Sequence, residues 1–136
     1  MDRYLDMCEL CFCDLYRLAL LTTGNPDAAS SLVEQTCVKG VHACGNMRDA
    51  RDVKIELTGI LFRLANEMRI AYRPGQPGYS EKLAGLTHTD RALLIFRHCS
   101  GLRLSEFSRA IGVSAEHVSS LLSGIMRKVA GSSGGL

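Results

Sequence analysis

The sequence predicts an all-helical protein of two small lobes, and three observations carry that expectation. Apolar residues recur at threes and fours along nearly the whole chain, the period of a helix with one buried face. Pro74-Gly75-Gln76-Pro77-Gly78 interrupts that period, because proline removes a backbone donor and clashes with the preceding turn. On both sides of the break, capping residues and glycines punctuate the pattern where helices would start and stop. With 136 residues, 46% hydrophobic and 22% charged, the chain has the composition of a folded protein with a modest core.

The elements follow in order. Leu5, Cys8, Phe12, Leu15 and Ala19 make one stripe of a first helix that ends near Gly24, a residue suited to a left-handed C-terminal position. Asn25-Pro26-Asp27 supplies a cap, a first-turn proline and a first-turn acid for a second helix. Its inner face is Ala29, Leu32, Val33, Thr36, Cys37 and Val41, and Gly45 with Asn46 closes it. The polar stretch 46–52 is a loop in which Asp49 or Asp52 can cap a third helix running to about Tyr72. Leu57, Ile60, Leu61, Leu64, Met68 and Ala71 form the buried side of that helix, with Arg63, Arg69 and Arg73 pointing elsewhere.

Residues 1–73 thus make a first lobe and residues 74–86 a linker. Thr87-His88-Thr89-Asp90 then resembles a capping box, and Ala92, Leu93, Ile95, Phe96 and Cys99 supply a core face up to Gly101. A short helix over Ser105 to Ala110, a turn at Gly112 and a last helix capped by Ser114 follow, with Val118, Leu122, Ile125 and Val129 inward. Two short helices about a glycine turn, with a third behind them, form a helix-turn-helix lobe over residues 87–130. Residues 131–136 read as a flexible tail.

Composition excludes more than it selects. No apolar run reaches the roughly 18 residues of a membrane span, and no apolar stretch follows the first residues, so a cytoplasmic chain is expected. The six cysteines are then expected as reduced thiols. Residues 1–73 carry 9 Lys/Arg against 10 Asp/Glu, while residues 74–136 carry 7 against 4, a slight excess that permits a polyanionic partner. Cys8, Cys11 and Cys13 invite a metal proposal, but on a helix Cys13 lies about 200° around from Cys11, so the three cannot chelate one ion. Cys8 is expected in the core and the others at its edge. His42-Cys44 and His98-Cys99 lack partners at ligand spacing, so no metal and no cofactor are expected. No strained catalytic turn is present, and the chain is not expected to be an enzyme.

Several strings then recur in a telling order. Leu15-Tyr16-Arg17-Leu18-Ala19, Thr23-Gly24-Asn25-Pro26-Asp27-Ala28-Ala29 and Leu32-Val33-Glu34-Gln35-Thr36 precede Leu61-Phe62-Arg63-Leu64-Ala65; Gly101-Leu102, Ala110-Ile111-Gly112-Val113-Ser114 and residues 118–122 come later. From about Tyr4 to Ala130 this series resembles conserved regions 2 and 4 of the extracytoplasmic-function sigma factors of the sigma-70 family. The resemblance implies a non-enzymatic transcription initiation factor that binds core RNA polymerase and directs it to promoter DNA. Region 2 would dock on polymerase with Asp27, Leu32, Val33, Glu34 and Gln35. It would meet the −10 element with Asn46, Arg48, Arg51, Arg63, Arg69 and Arg73. Region 4 would place Ser114, His117, Ser119, Ser120, Arg127 and Lys128 at the −35 element. An anti-sigma factor is a further implied partner.

Two features lead to a second reading. The family usually carries basic residues where this chain has Asn66, Ser119, Leu121, Gly124 and Met126, and phosphate contacts supply most DNA affinity. Leu121 and Met126 are expected to be covered by another protein surface, of the same chain or of a partner. The 13 residues from Pro74 to Leu86 reach at most about 45 Å, which favours a compact pair of lobes. The alternative is therefore a sigma-like mimic that engages an anti-sigma factor or polymerase without reading DNA. A dimeric helix-turn-helix regulator is the third reading.

Overall fold

The computed structural model describes residues 2–67 and 86–134. Among them are six helices and no strand: α1 (Asp2–Thr23), α2 (Pro26–Cys44), α3 (Ala50–Glu67), α4 (His88–Cys99), α5 (Leu104–Ile111) and α6 (Ala115–Gly134). The fold is all-α, and no described helix is long and apolar enough to cross a membrane. The linker expected over 74–86 lies, apart from buried Leu86, outside the described residues, as do Met68, Arg69, Ala71 and Arg73.

Local chemistry sets the helix boundaries. Gly24 adopts φ 67°, which only glycine reaches without a Cβ penalty, and its amide donates to the Leu20 carbonyl at 2.7 Å. The Asn25 side chain accepts from the amides of Asp27 (2.9 Å) and Ala28 (3.1 Å), satisfying orphan donors at the start of α2. Asp49 Oδ1 accepts from the Arg51 amide at 2.8 Å and begins α3. Thr87 Oγ1 accepts from the Asp90 amide at 3.1 Å and begins α4. Two boundaries differ from expectation. Gly45 closes α2 in the right-handed region, φ −57°, with the Met47 amide bonded to the Cys44 carbonyl. The last helix continues through Gly134, so most of the expected tail is helical.

α3 organises the molecule. Val53, Ile55, Leu57, Thr58, Gly59, Ile60, Leu61, Leu64 and Ala65 are all buried, more of its circumference than an amphipathic stripe would hide. The reason is that four helices, α1, α2, α4 and α5, all pack on α3, with α4 resting against α1 as well. One continuous apolar cluster runs from Tyr4 to Ile125 through it. Toward α4 and α5, Phe62 presents its ring edge-on to Phe96 (centroids 5.2 Å) and Phe107 (6.3 Å), the geometry aromatic quadrupoles favour.

The buried face of α1 keeps Cys8, Leu15 and Ala19 of the expected stripe but not Leu5 and Phe12. Leu5 and Phe12 are 55% and 48% exposed, while Tyr4, Met7, Cys8, Cys11, Leu15, Leu18 and Ala19 are buried. At 100° per residue the exposed Asp6, Glu9 and Arg17 gather on the side away from Cys8, Cys11, Leu15, Leu18 and Ala19, and Leu5 and Phe12 fall on the flank between the two. Cys11 is consequently core, not edge.

Candidate protein and nucleic-acid interfaces

The docking segment expected on α2 splits by helical geometry. Asp27, Glu34 and Gln35 are exposed, whereas Leu32 and Val33 are each 1% exposed and belong to the core. What the outer face offers is a shallow recess lined by Ser31, Glu34, Gln35, Val38 and Lys39. Gln35 Nε2 donates to Ser31 Oγ at 3.0 Å across it. Val38 is 64% exposed, an apolar point among polar groups that the sequence reading passed over. Its position three and four residues beyond Gln35 and Glu34 was the available signal.

Asn46 and Arg48 are exposed in the loop before α3. Arg63 is exposed farther along α3, in a mixed-charge groove with Lys39, Glu56 and Glu67, and Arg69 and Arg73 lie outside the described residues. Arg51 has a different role from its loop neighbours. Its Nε and Nη2 donate to Glu106 Oε2 (2.9 Å) and Oε1 (2.6 Å), and Nη2 also donates to the Gly101 carbonyl at 3.0 Å.

Turns set the arrangement of the helices after Leu86. The Gly112 backbone sits at φ 74°, its amide donates to the Ser108 carbonyl, and the Ser108 hydroxyl closes the turn on the Val113 carbonyl. Ser114 Oγ accepts from the His117 amide at 3.2 Å and starts α6. His117, Ser119, Ser120, Arg127 and Lys128 are all exposed, with Lys128 Nζ 2.7 Å from Asp90 Oδ2. Leu121 (41% exposed) and Met126 (50%) are not covered by this chain, which corrects the expectation of burial against its own surface. Met126 instead borders an open groove with Arg97, His98, Leu104, Ser119, Leu122 and Ser123. Val118 and Ile125 take the inner positions, with Leu122 and Val129 half-buried beside them.

A seam joins the two halves, and no local signal announced it. At one end Arg51 pairs with Glu106, and Arg109 Nη2 reaches Asp52 Oδ1 at 2.8 Å. At its centre a Cβ on Gly59 would fall inside contact distance of the Ala110 carbonyl, so α3 and α5 cross backbone to backbone. At the other end His88 Nε2 lies 2.6 Å from the Ala65 carbonyl and Nδ1 lies 3.3 Å from Arg91 Nη2. Those partners assign the proton to Nε2, leaving Nδ1 to accept. Arg17 Nη2 adds a bond to the Cys99 carbonyl at 3.1 Å.

The Arg51 guanidinium, joined by the Arg103 amide, holds the Glu106 carboxyl down to about 2. A depressed folded value stabilises above the ordinary carboxyl value near 4.5 and is lost as pH falls through about 2. The protection of α5 amides, each exchange rate taken relative to that of the unfolded chain at the same pH, is therefore expected to fall between pH 4.5 and 2 in the native chain and less so in Glu106→Gln.

Four of the six cysteines, Cys8, Cys11, Cys37 and Cys44, face one another where α1 packs on α2, while Cys13 is exposed and Cys99 ends α4. Among the described residues no group of three His, Cys, Asp or Glu side chains is placed to hold an ion. Burial raises the thiols of Cys11 and Cys44 to about 11 and that of Cys37 to about 12. Burial likewise raises the Tyr4 phenol, whose hydroxyl donates to the Cys37 carbonyl. Neutral forms are thus favoured on folding, and this stability is complete below about pH 9 and falls as pH climbs toward 11 to 12. A disulfide reagent at pH 8 is expected to modify exposed Cys13 first, with Cys8, Cys11 and Cys44 protected until denaturant is added, as peptide mapping would show. Early modification of Cys11 would contradict this packing. Against known proteins, no family model matches the sequence and no curated protein matches it.

Proposed function

We propose that the chain is a sigma-like transcription initiation factor, without catalysis of its own, that grips core RNA polymerase through the outer face of α2 and meets promoter DNA with the loop before α3 and with α6. The observation that carries the reading is the pairing of α5 and α6 across the Gly112 turn with α4 behind them. That arrangement offers the early side chains of the second helix to a groove. His117, Ser120 and Arg127 fall on one exposed side of α6 and are the groups that would touch bases or phosphates.

The test is reconstitution. The purified chain is expected to co-elute with core polymerase and to give promoter-dependent transcripts. Val38→Asp is expected to weaken that association by roughly tenfold or more, the loss of an interface anchor, with folding intact. Arg127→Ala is expected to flatten the salt dependence of DNA binding by about one unit of log–log slope. A second reading, the protein-binding mimic whose partner is an anti-sigma factor, is favoured by the uncovered Leu121 and Met126. Polymerase association without transcripts would select it.

A further inference from the structure

α6 is covered less than any other described helix. Between Ala115 and Ala130 only Val118 and Ile125 are buried, where the helix rests on α4 and α5. Beside that edge Ala115, Ser119, Leu122, Met126 and Val129 follow at spacings of four and three, the repeat along which two helices pack. Ser119 and Met126 of this strip are exposed, and the other three are half-buried. Glu116 and Arg127 lie on its outer edge, away from Val118 and Ile125, because eleven residues at 100° each make about three full turns. Both are exposed, and among the described residues neither is paired with an opposite charge, whereas Lys128 is held by Asp90.

We infer that α6 is a self-association surface: two copies of the chain pair through the strip at Ser119, Leu122 and Met126, antiparallel about a two-fold axis, with Glu116 of each facing Arg127 of the other. Such an axis passes midway between the two charges, at Leu121 and Leu122, and brings the same edge of each helix together. Charge selects the direction. A parallel pair would set Glu116 beside Glu116 and Arg127 beside Arg127, while the antiparallel pair places opposite charges together twice over. Ala115 and Ser119 are small enough to let the helices approach, and Leu122 and Met126 supply the apolar contact. The pairing requires nothing of the function proposed above.

Sedimentation velocity of the full chain measures the pairing, in reducing agent so that exposed Cys13 cannot bridge copies. The native chain is expected to pass from monomer to dimer as its concentration rises to about 100 μM, the range of a small transient interface. Met126→Glu places a charge at a position 50% exposed in the single chain, so circular dichroism should show the fold intact. The dimer is expected to weaken roughly tenfold or more in this variant. Glu116→Arg and Arg127→Glu each set like charges across the axis, and each alone is expected to stay monomeric over the same range. Mixed in equal amounts, these two variants are expected to form a heterodimer, because both pairs across the axis are then opposite in sign.

A native chain that stays monomeric to that concentration would overturn the inference. So would a dimer that Met126→Glu leaves unchanged, since the contact would then lie elsewhere. If the two charge variants fail to pair when mixed, although Met126→Glu weakens the native dimer, the antiparallel arrangement is wrong and the inference falls with it. If Met126→Glu does not fold, the mixed charge variants decide alone.

Discussion

Phe107→Ala is expected to cost about 3 to 5 kcal/mol, the range for deleting a buried ring into a site that relaxes only partly. Phe107 is fully buried on α5 and meets the Phe62 ring of α3 at 6.3 Å, so both the transfer and the aromatic contact are lost. Against a typical total of about 5 to 15 kcal/mol, that is a large fraction. The measurement is urea unfolding followed by circular dichroism. One transition is expected, shifted to lower urea with its slope kept, because the apolar cluster is continuous across α3. Two separated transitions would mean that the helices after Leu86 melt as their own unit.

The second large loss is expected where α1 packs on α3. Leu15 is 1% exposed in α1, and Leu15→Ala should cost about 2 to 5 kcal/mol. Cys13→Ala, on the exposed face of the same helix, should stay within about 0.5 kcal/mol and controls for changes in helix propensity. If Leu15→Ala also loosens hydrogen exchange in α4 and α5, these helices and α1 share one cooperative unit. If exchange there is untouched, they do not.

The helices were legible because their ends are written locally. Asn25, Asp49, Thr87 and Ser114 each accept the amide bonds a cap requires, and Gly24 and Gly112 take the left-handed values a helix end uses. The centre of the buried face of α1 was legible in Cys8, Leu15 and Ala19, but its edge was not, since Leu5 and Phe12 are as apolar as Met7, Cys11 and Leu18 and only packing decides which flank is covered. The packing of α5 on α3 was hidden for another reason. Arg51 and Glu106 are 55 positions apart, and no local pattern in either segment points to the other. For the candidate site, the polar positions of α2 were readable from their period, whereas which arginines remain available to a partner depends on those long-range pairs.

That α3 is walled by helices from both ends of the chain has a consequence for dissection. A fragment ending at Glu67 would expose Gly59, Phe62 and Ala65 to water, and a fragment starting at Leu86 would expose Phe96 and Phe107. Neither piece is expected to stay in solution alone. Produced together in one cell, they should find each other and purify as a nicked heterodimer.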